Sequence, residues 1–131
     1  MNAPNPLAKS IAAMAFGSLV LFATTPAQAS AGWDYVGTKN FYPVENDWYQ
    51  TGEIKSTGGD VKACITTASS SYYYYDLQEM DGAQWDLVDS VRGAGCWTWR
   101  DIGRWVDGSN NRAEFVIVTN DFNAKRVKWW D

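Results

Sequence analysis

A tight turn flanked by aromatic-rich strands is where side chains of this sequence could do chemistry together. Asp81-Gly82 is a two-residue hairpin signal. A loop there pairs Met80 with Ala83, and by extension Gln78 with Trp85, Asp76 with Leu87 and Tyr74 with Asp89. Residues two apart share a strand face. One face then carries Tyr72, Tyr74, Asp76 and Gln78 beside Trp85, Leu87 and Asp89. Rings that cover the C–H face of a sugar, next to carboxylates and an amide that take its hydroxyls, point to carbohydrate recognition. The same pattern also reads as a half-buried sheet face with tyrosine hydroxyls at its rim, because tyrosine favours strands for packing reasons alone. A register slip of one residue would swap the faces and dissolve the cluster.

Trp130 is the other ligand-binding candidate. Arg126, Lys128 and Trp130 alternate with Val127 and Trp129, so Trp130 shares a basic, exposed face while Val127 and Trp129 belong to the core. A tryptophan beside cations binds a ligand or partner, or simply forms a surface cation–π pair. Asp76, Glu79, Asp81, Asp86 and Asp89 concentrate negative charge locally. Calcium takes carboxylate oxygens, but neither this stretch nor residues 107–111 has the spacing of an EF-hand loop. Both also read as ordinary turns whose Asp, Asn and Ser bond to their own backbone.

Catalytic constellations are scarce. The chain has no histidine, which excludes Ser-His and Cys-His nucleophiles and disfavours a zinc hydrolase. A carboxylate pair of the glycosidase kind has material in Glu45, Glu53, Glu79, Glu114 and the aspartates, yet no spacing singles out an acid and its partner. Glycine motifs for phosphate are absent as well. The expectation is a protein that is not an enzyme and needs no cofactor, with calcium the one metal ion considered.

The elements that must position these residues are strands. After residue 30, no segment sustains a helical i, i+3, i+4, i+7 apolar pattern. Short runs rich in Val, Ile, Thr, Tyr and Trp recur between Gly, Asp and Asn. They fall at residues 33–38, 48–54, 61–67, 72–80, 83–91, 96–100, 102–106, 112–119 and 125–130, and residues 101–106 could instead form one helical turn capped by Asp101. Seven to nine short strands at this spacing predict an all-β fold, a small antiparallel β-sandwich or partly open barrel.

The two cysteines, Cys64 and Cys96, predict one disulfide. In residues 61–67, Val61, Ala63 and Ile65 share a face opposite Lys62, Cys64 and Thr66. In residues 96–100, Trp97 and Trp99 oppose Cys96, Thr98 and Arg100. Both cysteines sit with the polar set, so the expected arrangement has the disulfide outside and the tryptophans in the core with Val61, Ala63 and Ile65. The competing arrangement buries the disulfide between sheets and turns Trp97 and Trp99 outward, at the expense of burying Lys62 and Arg100. In residues 112–119, Ala113, Phe115 and Ile117 face one way and Val116 and Val118 the other, which predicts a central strand covered on both faces.

Residues 1–29 read as a signal peptide, with Lys9, an apolar run over 11–23 and the A-x-A site ending at Ala29. Residues 30–131 then form one secreted domain, extracellular or periplasmic and of bacterial type. Loss of Lys9 takes the 11 basic residues to 10 against 15 acidic, a net charge of −5. That charge disfavours nucleic acid and anionic membrane as partners, and no apolar run is long enough for membrane insertion. The excess of aromatics makes a glycan or cell-wall polymer the first expectation. A secreted protein partner, as for a hydrolase inhibitor or small toxin contacting through residues 40–47 or 107–112, is the second. A structural protein without a ligand is the third.

Overall fold

The alternation in Val61–Thr67 sets the architecture. Its inward residues Val61, Ala63 and Ile65 are buried, and its outward ones are half-buried or exposed. The computed structural model describes residues 32–131, so the predicted signal peptide over 1–29 lies outside the described residues. Nine strands follow in order: β1 (Tyr35–Pro43), β2 (Tyr49–Thr51), β3 (Ile54–Ser56), β4 (Val61–Thr67), β5 (Tyr74–Asp81), β6 (Gln84–Arg92), β7 (Gly95–Trp99), β8 (Ala113–Thr119) and β9 (Ala124–Trp130). Every pairing is antiparallel, and the lateral order is β6, β5, β8, β2, β1, β9, β4, β7, with β3 also on β8. The sheet curls on itself into a nearly closed barrel around one core. Val61, Ala63 and Ile65 of β4 join Tyr75 and Leu77 of β5, Phe115 and Ile117 of β8, and Val127 and Trp129 of β9 in a single buried cluster. Of the two expected architectures, the structure takes the partly open barrel.

The disulfide lies where face parity put it. Cys64 and Cys96 are directly opposite in the β4–β7 ladder, flanked by the pairs Val61 with Trp99 and Ala63 with Trp97. Trp99 is buried and Trp97 packs against the core, whereas Cys64 is half-buried and Cys96 exposed. Strand β8 is central, with Phe115, Val116 and Ile117 all inaccessible to solvent, as burial on both faces requires.

Three local expectations are corrected. The predicted strand over 48–54 is two strands, β2 and β3, which pair with different parts of β8 and are separated at Gly52 and Glu53. The segment after Arg100 is not a strand but a 3-10 turn, Ile102–Trp105. Asp101 does not cap it with its side chain and sits in the left-handed region. Asp60 anchors the turn instead, accepting from the Asp101 amide (3.0 Å) and the Arg100 guanidinium (2.8 Å). In the hairpin, the two loop residues are Gly82 and Ala83, closing the pair Asp81 with Gln84. Gly82 has φ +61° and occupies the first central position, which in the II′ kind of turn calls for positive φ.

Candidate functional site

That turn fixes what the hairpin displays. Met80 pairs with Trp85 and Gln78 with Leu87, two residues away from the expected register. A shift of two preserves side-chain parity, so Trp85 and Leu87 still share the outer face with Tyr74, Asp76 and Gln78. Beyond Leu87 an irregularity adds one residue on β6: Leu77 pairs with Asp89, Asp76 with Ser90 and Tyr74 with Arg92. The extra residue turns Asp89 to the inner side of the sheet, as a bulge does. Asp89 therefore leaves the predicted cluster, and its carboxylate accepts the indole N–H of Trp99 at 2.8 Å.

The remaining residues form an outer strip along β5 and β6. Tyr72 is 76% exposed, lies against Gly93 and has the Arg92 guanidinium 6.0 Å from its ring centroid. Tyr74, opposite Arg92, is exposed; Ser90 donates to the Asp76 carboxylate; and Trp85 stands at the far end. From Tyr74 to Met80, the partner of Trp85, the strand rise makes the strip roughly 20 Å long. Laterally, the face continues from Ser90 and Asp76 through Val118 of β8 and Gln50 of β2 to Tyr42 of β1.

A turn that the sequence shows only as a loop completes the site. Asn46 and Asp47 both have positive φ, 58° and 60°, a conformation that asparagine and aspartate tolerate. The chain doubles back there: the Val44 amide donates to the Trp48 carbonyl (2.8 Å) and the Trp48 amide to the Glu45 carbonyl (3.3 Å). Val44, Glu45 and Trp48 thereby join Gln50, Gln78, Trp85 and Val118 around an open cleft of about 390 Å³. Trp48 is 41% and Trp85 44% exposed. The cleft thus presents indole surface, two side-chain amides and one carboxylate.

Trp130 lies elsewhere. It pairs with Lys62 and Tyr35 in the β9 ladders, with its ring 5.7 Å from Tyr35 and 4.8 Å from the Lys62 ammonium. The cation comes from the neighbouring strand rather than from Arg126 or Lys128. Residues 40–43, proposed above as part of a contact loop, belong to β1.

Two buried carboxylates stand at opposite ends of β5. Asp121 is fully buried and accepts from the Tyr75 hydroxyl (2.7 Å), the Ser69 and Thr67 hydroxyls and the Asn123 amide (2.9 Å). Burial alone would push its pKa up; the hydrogen bonds from Ser69, Thr67, Tyr75 and Asn123 outweigh that and hold it below the ordinary aspartate value. This carboxylate ties the ends of β4, β5 and β8 together. Glu79, the second, comes within 4.8 Å of Asp107 and Glu114, measured between carboxylate oxygens. Of the acidic residues singled out around the hairpin, Glu79 alone joins this group.

The fold and its outer face define a disulfide-linked, partly open antiparallel barrel that displays an aromatic strip. By sequence, the chain belongs to the family described as the YndA coiled coil domain, which matches residues 35–129. It is 34% identical over 110 residues to the uncharacterized protein YndA of Bacillus subtilis (strain 168), covering 79% of this chain and 77% of that protein. No solved structure matches. The coiled coil of the family description has no counterpart among the described residues, where helix is limited to the 3-10 turns Glu45–Asp47 and Ile102–Trp105.

Proposed function

We propose that the chain is a secreted, non-enzymatic domain that binds an extracellular glycan or cell-wall polymer along the outer strip and its Trp48–Trp85 cleft. The observation that carries this reading is the pairing of two large, exposed indoles in one cleft with Gln50, Gln78 and Glu45. Exposed aromatic side chains grouped in one cleft mark interaction sites. Sugar rings present C–H faces for stacking and hydroxyls that need both donors and acceptors. A glutamine amide supplies both. The strip from Tyr74 past Asp76 to Trp85 is long enough for several sugar units, which suits a polymer better than a monosaccharide.

The test is depletion of the purified protein from solution by insoluble cellulose, chitin, xylan and peptidoglycan. Retention by one of them, reduced by soluble fragments of the same polymer, supports the reading. Full recovery in the supernatant with all four contradicts it and shifts the aromatic strip to a protein partner.

A further inference from the structure

We propose that Glu79, Asp107 and Glu114 form a binding site for a hard divalent cation, best matched by calcium. The inference is independent of the glycan reading. Strand β5 carries a misfit on its inner face. The inward series Tyr75, Leu77, Glu79 calls for a third apolar residue, and a carboxylate stands there instead, 1% exposed. Its Oε1 has no hydrogen-bond partner. A buried carboxylate oxygen without a donor is costly unless a charge or proton compensates it.

No side-chain cation supplies that compensation. Among the described residues the ion pairs are Lys55–Glu53 and Arg100–Asp60. The ladder sets Lys55 opposite Glu114, yet its ammonium goes to Glu53 at 3.9 Å. The other groups facing Glu79 make matters worse. Burial pushes its pKa up, the Glu114 backbone amide offsets part of this, and the charges of Asp107, Asp81 and Glu114 push it further up.

The local backbone assembles these acids rather than separating them. Asp107 and Arg112 form an isolated antiparallel bridge, and the turn between them uses positive φ at Gly108 (67°) and Asn111 (52°). Asp107 is thus folded back towards the start of β8. Asn110 donates its side-chain amide to Glu114, which fixes that carboxylate. Beside the triad an open cleft of about 280 Å³ is lined by further oxygen groups, including Asp81, Glu53 and Ser109.

Calcium tolerates an irregular shell of oxygen ligands, whereas magnesium demands near-ideal octahedral geometry and keeps several waters. Oxygens bound to one calcium lie 2.3–2.6 Å from it, so two of them are at most about 5 Å apart. The three carboxylates bring one oxygen each within 4.8 Å of one another, close enough for a single cation to draw on all of them. The three carboxylates, with water and the neighbouring oxygens, can reach the six to eight ligands calcium takes.

The experiment uses the purified protein after chelation. Thermal unfolding is followed with and without CaCl2, and direct binding by calorimetric titration with CaCl2 and MgCl2. The expected result is a calcium-dependent rise in Tm, stronger than with magnesium. Glu79→Gln keeps the shape of the buried side chain, and Glu114→Gln changes a less buried ligand should the first variant fold poorly. Each is expected to weaken calcium binding by more than about tenfold, since even changes outside the ligand shell cost that much. Asp47→Asn, remote from the site, is expected to retain it. Absence of both a Tm shift and binding heat in the wild type would overturn the proposal, as would a shift of the same size in both Gln variants.

Discussion

The indole N–H of Trp99 on β7 donates to the Asp89 carboxylate on β6 at 2.8 Å, joining the two strands that flank the open seam of the barrel. No strand ladder connects β6 and β7 among the described residues, so side chains carry the closure. Trp97 braces the turn between these strands, donating its indole N–H to the Gly93 carbonyl at 3.1 Å. A hydrogen bond to a charged acceptor contributes about 1.5–3 kcal/mol. Asp89→Ala is expected to lower stability by about that amount and Trp99→Phe by more, since it also removes buried core volume, and both should speed amide exchange in β7. A double-mutant cycle should show coupling between the two positions. Additive effects would mean that the bond does not hold the seam.

The disulfide acts on the same edge. Among the described residues, strand β7 pairs with β4 alone, and Cys64 faces Cys96 within that ladder. The chain-entropy model gives about 3–4 kcal/mol for a loop of this length. Reduction, or Cys96→Ser, should therefore lower the urea midpoint clearly and loosen β7 first. Far-UV circular dichroism and urea unfolding of the oxidised and reduced protein check this.

Acid should find Asp121. Its folded-state pKa lies below the ordinary value of about 4. Its contribution is thus fully present above that range and is lost as the pH falls through the folded-state value. Asp121→Asn is expected to cost at least about 2 kcal/mol at neutral pH and to flatten the fall in stability below pH 4. Tyr75→Phe removes one donor and should cost about 1–2 kcal/mol. The Tyr75 hydroxyl itself is driven well above its usual pKa, by burial first and then by its bond to Asp121, so it remains a donor throughout. Urea unfolding from pH 2 to 8 would show both effects.

Much of the barrel was legible because side-chain parity is a local property. The polar company of Cys64 and Cys96 placed the disulfide outside, and the apolar company of Val61, Ala63 and Ile65 placed Trp97 and Trp99 against the core. The unbroken apolar end of β8 announced a central strand in the same way. The losses have equally specific causes. The extra residue after Leu87 has no compositional mark, so nothing in the sequence signalled that Asp89 would change faces. The Asp81-Gly82 pair marked the turn but not its first residue, because glycine satisfies positive φ at more than one position. Trp48 reached the strip through the left-handed pair Asn46 and Asp47, and Glu79 met Asp107 and Glu114 through long-range pairing. Lys62 rather than Lys128 met Trp130, because a directly opposed cross-strand neighbour lies closer than a residue two positions along the same strand.

Retention of Trp48→Ala and Trp85→Ala on the depleting polymer, measured beside wild type, decides whether the cleft holds the glycan. Both indoles are partly exposed, so each variant should keep its stability within about 1 kcal/mol, verified by thermal unfolding of the same samples. Each variant is expected to lose most of its retention, while Trp130→Ala, on the separate Lys62 patch, retains it. Undiminished retention by stable Trp48→Ala and Trp85→Ala proteins would contradict the assignment of the cleft.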